Sequence, residues 1–90
     1  MRLIHTGDEI IFSMPKKYFD KFRMFLESLE LDGENSEILQ FWFSEGAWNI
    51  ETENNEKMLV FFGRKFIHLV IKKDGSFEKI RDKFLYIMRF

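Results

Sequence analysis

The chain has 90 residues, of which 46% are hydrophobic and 18% aromatic, and it has no cysteine and a formal net charge of −1. This length predicts a single α+β domain over residues 1–90, and the aromatic content excludes an intrinsically disordered chain. The lack of cysteine excludes disulfides and thiolate metal sites, which favours a reducing cytoplasm. Residues 1–7 lack a signal-peptide core, and the longest apolar run, Met58 to Phe62, is too short to span a membrane.

Residues 2–14 predict two short strands around a turn at Thr6-Gly7-Asp8. Pro15 predicts a helix start, with Ser13 as its cap, because proline fits the first turn of a helix. Apolar residues at helical spacing follow, and Gly33 predicts the end of this helix. The residues at this spacing are Tyr18, Phe22, Phe25 and Leu29.

Four further strands are predicted between residues 37 and 73, where the apolar period changes to two. Turns are predicted at residues 44–47, 54–55 and 63–65. The predicted strands begin at Glu37, Trp48, Met58 and Phe66. Asp74-Gly75-Ser76 predicts the end of the last strand and the cap of a final helix. The apolar face of this helix carries Phe77, Ile80, Phe84, Ile87 and Met88.

The predicted order of elements is β-β-α-β-β-β-β-α. Short connections favour antiparallel neighbours, so residues 37–73 are expected to form a four-stranded meander. Two amphipathic helices packed on one face of the sheet would give a two-layer α+β domain.

This architecture leaves a second face of the sheet open. If Leu39, Phe41 and Phe43 face the helices, Ile38 and Trp42 face the other way. The neighbouring strand would add Asn49, Glu51 and Glu53 to the open face, and the longest strand would add Phe66, His68 and Val70. Such a face predicts an interaction site, unless the N-terminal hairpin or a second copy of the chain covers it.

Residues 32–56 carry seven acidic side chains and no basic one, together with both tryptophans. One interpretation is a solvated hairpin whose charge protects a sheet edge. The other is a binding surface, in which glutamates steer a basic protein partner and aromatic side chains anchor it. The predicted partner-binding residues are Glu37, Trp42, Glu45, Trp48, Glu51 and Glu53. Residues 57–90 carry nine basic and three acidic side chains, so the charge is strongly asymmetric.

The sequence predicts no enzyme, no cofactor and no metal site. The histidines His5 and His68 are far apart in sequence, and the glycines are scattered singly. The stretch Phe61-Phe62-Gly63-Arg64-Lys65-Phe66 has the aromatic and basic character of RNA-recognition sheets, but its order differs and Gly63-Arg64-Lys65 is a predicted turn. A basic strip in the C-terminal third is interpreted as a solvated helix face, so nucleic acid is not expected as a partner.

In size, charge and architecture the chain resembles immunity proteins of bacterial toxin–immunity pairs. The resemblance is carried by four glutamates of the acidic segment around Trp42 and Trp48, and the basic C-terminal helix departs from it. It implies a cytoplasmic inhibitor that binds and neutralises a basic toxin, with a nuclease as the expected target. The alternatives are a phage-encoded inhibitor of a host nucleic-acid-binding defence protein, a homo-oligomeric assembly module that forms a homodimer, and a small nucleic-acid binder.

Overall fold

The computed structural model describes residues 1–29, 46–52 and 56–89. These residues form an α+β fold, as the sequence predicts, with five antiparallel strands and two α-helices. The elements are β1 (Arg2–His5), β2 (Glu9–Pro15), a 3-10 turn (Lys16–Tyr18), α1 (Phe19–Ser28), β3 (Gly46–Glu51), β4 (Lys57–Phe62), β5 (Phe66–Lys72) and α2 (Phe77–Ile87). The strand predicted from Glu37 lies outside the described residues.

The five strands form one sheet in the order β1-β2-β5-β4-β3, and every neighbouring pair is antiparallel. The β3–β4–β5 part of the predicted meander is therefore confirmed. The N-terminal hairpin pairs through β2 with β5 along the whole of that strand. It extends the sheet sideways, so the expectation that it could cover the open face is wrong.

The core lies between one face of the sheet and the two helices. Strand alternation places every second residue of each central strand on this face. These residues are Ile10, Phe12 and Met14 from β2, Ile67, Leu69 and Ile71 from β5, and Met58, Val60 and Phe62 from β4. The helices cover these residues with aromatic rings. The Phe84 ring of α2 lies 4.5 Å from that of Phe12, and the Phe22 ring of α1 lies 6.1 Å from that of Phe62.

The first helix begins and ends elsewhere than the sequence predicts. Pro15 is the last residue of β2, with φ −61° and ψ 148°, and α1 begins only at Phe19 after the 3-10 turn. The fixed φ of proline fits extended backbone as well as a helix start, which explains the difference. Ser13 does not cap the helix, because it lies within β2. The helix ends at Ser28, before the predicted terminator Gly33, since Leu29 is already extended.

The last helix follows the predicted turn, although its cap differs. Gly75 has φ +52°, a left-handed conformation that glycine tolerates at no steric cost. The N–H of Phe77 donates to the carbonyl of Asp74, and Ser76 makes no side-chain capping bond. A backbone hydrogen bond, and not a side-chain cap, therefore closes the turn before this helix. Neither described helix is long and apolar enough to cross a membrane.

Candidate binding face of the sheet

The open face is the face of the sheet that α1 and α2 do not cover. The register aligns one residue from each strand in a central row across it: Ile4, Ile11, Val70, Leu59 and Asn49. Four of these five side chains are aliphatic, and they form the apolar row. Val70 at its centre is 7% exposed and Ile4 at one end is 38% exposed. A continuous apolar row away from the helices is the kind of surface that marks an interaction site.

A second row, next to the apolar row, carries aromatic and basic side chains. It consists of Arg2, Ser13, His68, Phe61 and Ala47. The Ser13 hydroxyl lies 2.7 Å from Nδ1 of His68, and this hydrogen bond orients the imidazole. The predicted placement of His68 and Val70 on the open face is confirmed by this register.

Phe66 lies beside this second row on the same face. It is two residues from His68 along β5, and the two ring centroids are 6.4 Å apart. Phe66 is 49% exposed and Phe61 is 38% exposed. The sequence pattern predicts Phe66 on the open face, but Phe61, which belongs there too, is missing from that prediction. Residues 58–62 are all apolar, so the sequence does not separate Phe61 from the buried Val60 and Phe62.

The other end of the open face is balanced in charge. Glu9 faces Lys72 across β2 and β5, and Glu51 faces Lys57 across β3 and β4. Opposite charges directly across antiparallel strands attract one another modestly. The exposed carboxylate of Glu51 therefore has a lysine as its cross-strand neighbour.

Two of the predicted partner-binding residues lie within the described ranges, and the sheet separates them. Glu51 is exposed on the open face, as expected, together with Asn49. Trp48 lies on the opposite face, where its ring contacts that of Phe62 at a centroid distance of 5.4 Å. The other four predicted residues, Glu37, Trp42, Glu45 and Glu53, lie outside the described residues. The roles in partner binding stay predictions for all six.

The position of Trp48 depends on the glycine two residues before it. A Cβ built on Gly46 would lie 2.8 Å from the indole, so only glycine leaves room for the ring. Gly46 also faces Phe62 across the strands. The indole of Trp48 therefore fills the space that a side chain at position 46 would occupy, next to Phe62. This packing explains why Trp48 is half-buried on the helix side of the sheet.

Glu56 belongs to the acidic segment in sequence, but it does not add to an acidic surface. It is 6% exposed, and its carboxylate accepts a hydrogen bond of 2.5 Å from the hydroxyl of Thr52. The same hydroxyl accepts from the Glu56 N–H at 3.2 Å, and the Thr52 N–H donates to the Glu56 carbonyl. These three bonds close the β3–β4 connection.

Histidine and carboxylate side chains do not cluster into a metal site in the described part of the chain. Within residues 1–29, 46–52 and 56–89, no group of three histidine, aspartate or glutamate side chains could hold a metal ion. A shallow depression is lined by Asp8, Glu9, Lys72, Lys73 and Asp74. The ammonium of Lys73 donates to the Thr6 carbonyl at 2.7 Å there, so it ties β5 to the first turn.

Comparison with protein-family models, with curated proteins and with solved structures gives no significant match to this chain.

Proposed function

We propose that this chain is a non-enzymatic cytoplasmic inhibitor that binds and neutralises a basic protein toxin, with a nuclease as the expected target. One observation carries the proposal: the acidic segment meets the apolar row on β3. Asn49 is the last residue of that row, and Glu51 follows it on the same face. A carboxylate beside an apolar surface suits a partner that presents a basic side chain next to an apolar centre.

The two parts of this surface have different tasks in the proposed contact. Glutamates such as Glu51 attract the partner and raise the rate of encounter, while Ile11 and Leu59 supply apolar area that is buried in the complex. Trp48 supports β3 from the helix side in this proposal. A nuclease is the expected target because it needs positive charge to hold phosphate, and carboxylates can occupy that place.

The experiment compares charge reversal on the two sides of the molecule. The partner is the toxin candidate encoded beside this gene, or the protein that co-purifies from the native host, and its dissociation constant is measured over a range of salt concentrations. Glu51→Lys should weaken binding severalfold and flatten the salt dependence. Glu78→Lys, on the exposed surface of α2, is the matched control and should leave both unchanged.

A second pair of variants tests the apolar part of the contact. Leu59→Ala should weaken the complex, and Leu85→Ala, at an exposed position on α2, should not. Nuclease activity of the purified toxin is assayed with each variant, since an inhibitor must lower it. If Glu51→Lys and Leu59→Ala bind and inhibit like the unchanged protein, the proposal is wrong.

The apolar row also favours a second candidate, a homo-oligomeric assembly module. Two copies could bury the row against each other, because a face-to-face dimer places the same residues on both sides. Sedimentation at micromolar concentration decides this point. A dimer that Leu59→Ala dissociates would support the module, and a monomer would exclude it at that concentration.

A further inference from the structure

Two exposed phenylalanines lie close together at one end of the open face. Phe61 faces His68 across the strands, and Phe66 is the next residue on that face along β5. Cross-strand neighbours lie about 5 Å apart and diagonal ones about 7–8 Å apart. Three flat side chains therefore lie side by side on one face, and Ser13 orients the central one, His68, by its hydrogen bond.

The same end of the sheet carries a cluster of cations. The N–H of Lys16 donates to the carbonyl of Lys65 at 3.0 Å, which joins the start of the 3-10 turn to the β4–β5 turn. Lys17, Arg64 and Lys65 are exposed around this hydrogen bond. Arg2 is also exposed, at the end of the row that contains Phe61.

No carboxylate interrupts this cluster in the segments that build it. Residues 10–19 and residues 57–73 contain no aspartate or glutamate. The acidic segment makes the overall charge negative, but the field near a binding face depends on the charges close to it. The cations of these two segments therefore favour an anionic ligand at this end of the sheet, whereas the Glu9–Lys72 end is balanced.

We propose that this end of the open face binds single-stranded nucleic acid. Phe61 and Phe66 stack on two bases, and Lys16, Lys17, Arg64 and Lys65 contact the phosphates. A single strand fits because its bases can turn their flat faces to a sheet, whereas a duplex hides them. This function lies beyond the proposed toxin contact, which uses Glu51 and the apolar row.

Tertiary structure reverses the interpretation of the Phe61–Phe66 stretch. Its residue order differs from RNA-recognition sheets, and Gly63-Arg64-Lys65 does form a turn. The hairpin brings the rings on either side of that turn onto one face, and Phe62 between them points into the core. The turn then places its two cations beside the rings.

The experiment measures fluorescence anisotropy of a labelled oligo(dT), roughly 8–12 nucleotides long, at low salt with the full chain. Phe61→Leu and Phe66→Leu keep the apolar surface but remove the stacking ring. Each should weaken binding roughly tenfold, within the range of about 5- to 150-fold that one stacked base provides. Tyr86→Leu, which removes an exposed ring from α2, is the matched control and should not change the affinity.

A charge variant and a rescue variant complete the test. Arg64→Gln with Lys65→Gln should lower the slope of log affinity against log salt by about 0.7 for each phosphate left without a cationic partner, and Lys79→Gln on α2 should not. Phe66→Trp should keep the affinity, and its new indole emission should be quenched on addition of oligo(dT). Thermal unfolding confirms that each variant is folded.

Three results would overturn the proposal. The first is no binding of oligo(dT) at low salt. The second is equal weakening of binding in Phe66→Leu and Tyr86→Leu. The third is binding to anionic phosphatidylserine vesicles that the leucine variants retain, with no preference for oligo(dT), since that pattern indicates a membrane surface. The proposed toxin contact can be tested separately from this one, because Glu51→Lys should leave oligo(dT) binding unchanged or stronger.

Discussion

At the scale of single residues, buried polar groups in this protein have partners. Within the described ranges, no buried side-chain nitrogen or oxygen lacks a hydrogen bond. Glu56 is the clearest case, because its carboxylate is only 6% exposed and accepts a hydrogen bond from the hydroxyl of Thr52. Removal of one partner from such a pair costs more than the net strength of the bond, since the other group stays buried and unsatisfied.

Thr52→Val should therefore lower the free energy of unfolding by about 2–3 kcal/mol, because the Glu56 carboxylate and N–H both lose their partner. Urea denaturation measures the change. Thr52→Ser keeps the hydroxyl and removes one methyl group, so it should cost about 1 kcal/mol or less. Equal destabilisation in the two variants would show that the hydroxyl does not stabilise the hairpin.

At the scale of elements, aromatic rings join the helices to the sheet and to each other. Phe84 of α2 is fully buried, and its ring centroid lies 4.5 Å from that of Phe12 of β2. It also packs edge-to-face against the ring of Phe25 of α1, at a centroid distance of 5.1 Å. Such pairs stabilise a core beyond the area that they bury. Two side-chain hydrogen bonds also join the helices: the ammonium of Lys21 donates to the Arg89 carbonyl, and that of Lys83 donates to the Ser28 carbonyl.

Phe84→Ala should lower the free energy of unfolding by about 3–5 kcal/mol, because the cavity would lie where three elements meet. This is a large part of the stability of a small domain, so the melting temperature should fall steeply. Thermal unfolding followed by circular dichroism measures it. Tyr86→Ala, two residues further on and 67% exposed, should cost no more than about 1 kcal/mol, since it loses only the contact with the Arg89 guanidinium 4.8 Å from its ring. A small effect of Phe84→Ala would contradict this arrangement of the core.

At the scale of the whole molecule, the strand order concentrates stability in the middle of the sheet. β5 is paired with β2 on one side and with β4 on the other. β1 is exposed at all four residues, and within the described residues it pairs with β2 alone. The open face runs across both strands. We therefore expect its centre, on β5, to resist local unfolding more than its end on β1.

Amide hydrogen exchange should reproduce this order. The amides of β5 should exchange slowest, with opening free energies close to that of global unfolding, and those of β1 should exchange fastest among the strands. NMR-detected exchange under native conditions gives the values residue by residue. Protection of β1 equal to that of β5 would contradict the sheet order.

Local patterns are sufficient for most of the secondary structure. The apolar run Met58–Phe62 and the helical spacing from Phe77 to Met88 are properties of adjacent residues, and both elements occur where predicted. The prediction for Pro15 is wrong because its fixed φ suits a strand end as well as a helix start. Which of these two it is depends on pairing with Phe66, and that partner is far away in the chain.

The sequence by itself determined the α+β class, the helical faces and the charge asymmetry, because these follow from residue types and short-range spacing. Only the tertiary structure decided that the N-terminal hairpin extends the sheet, that Trp48 and Glu51 lie on opposite faces, and that Phe61 and Phe66 share a face beside the Arg64-Lys65 turn. Strand order and register set these relations, and both depend on contacts between residues distant in the chain, which no local pattern specifies.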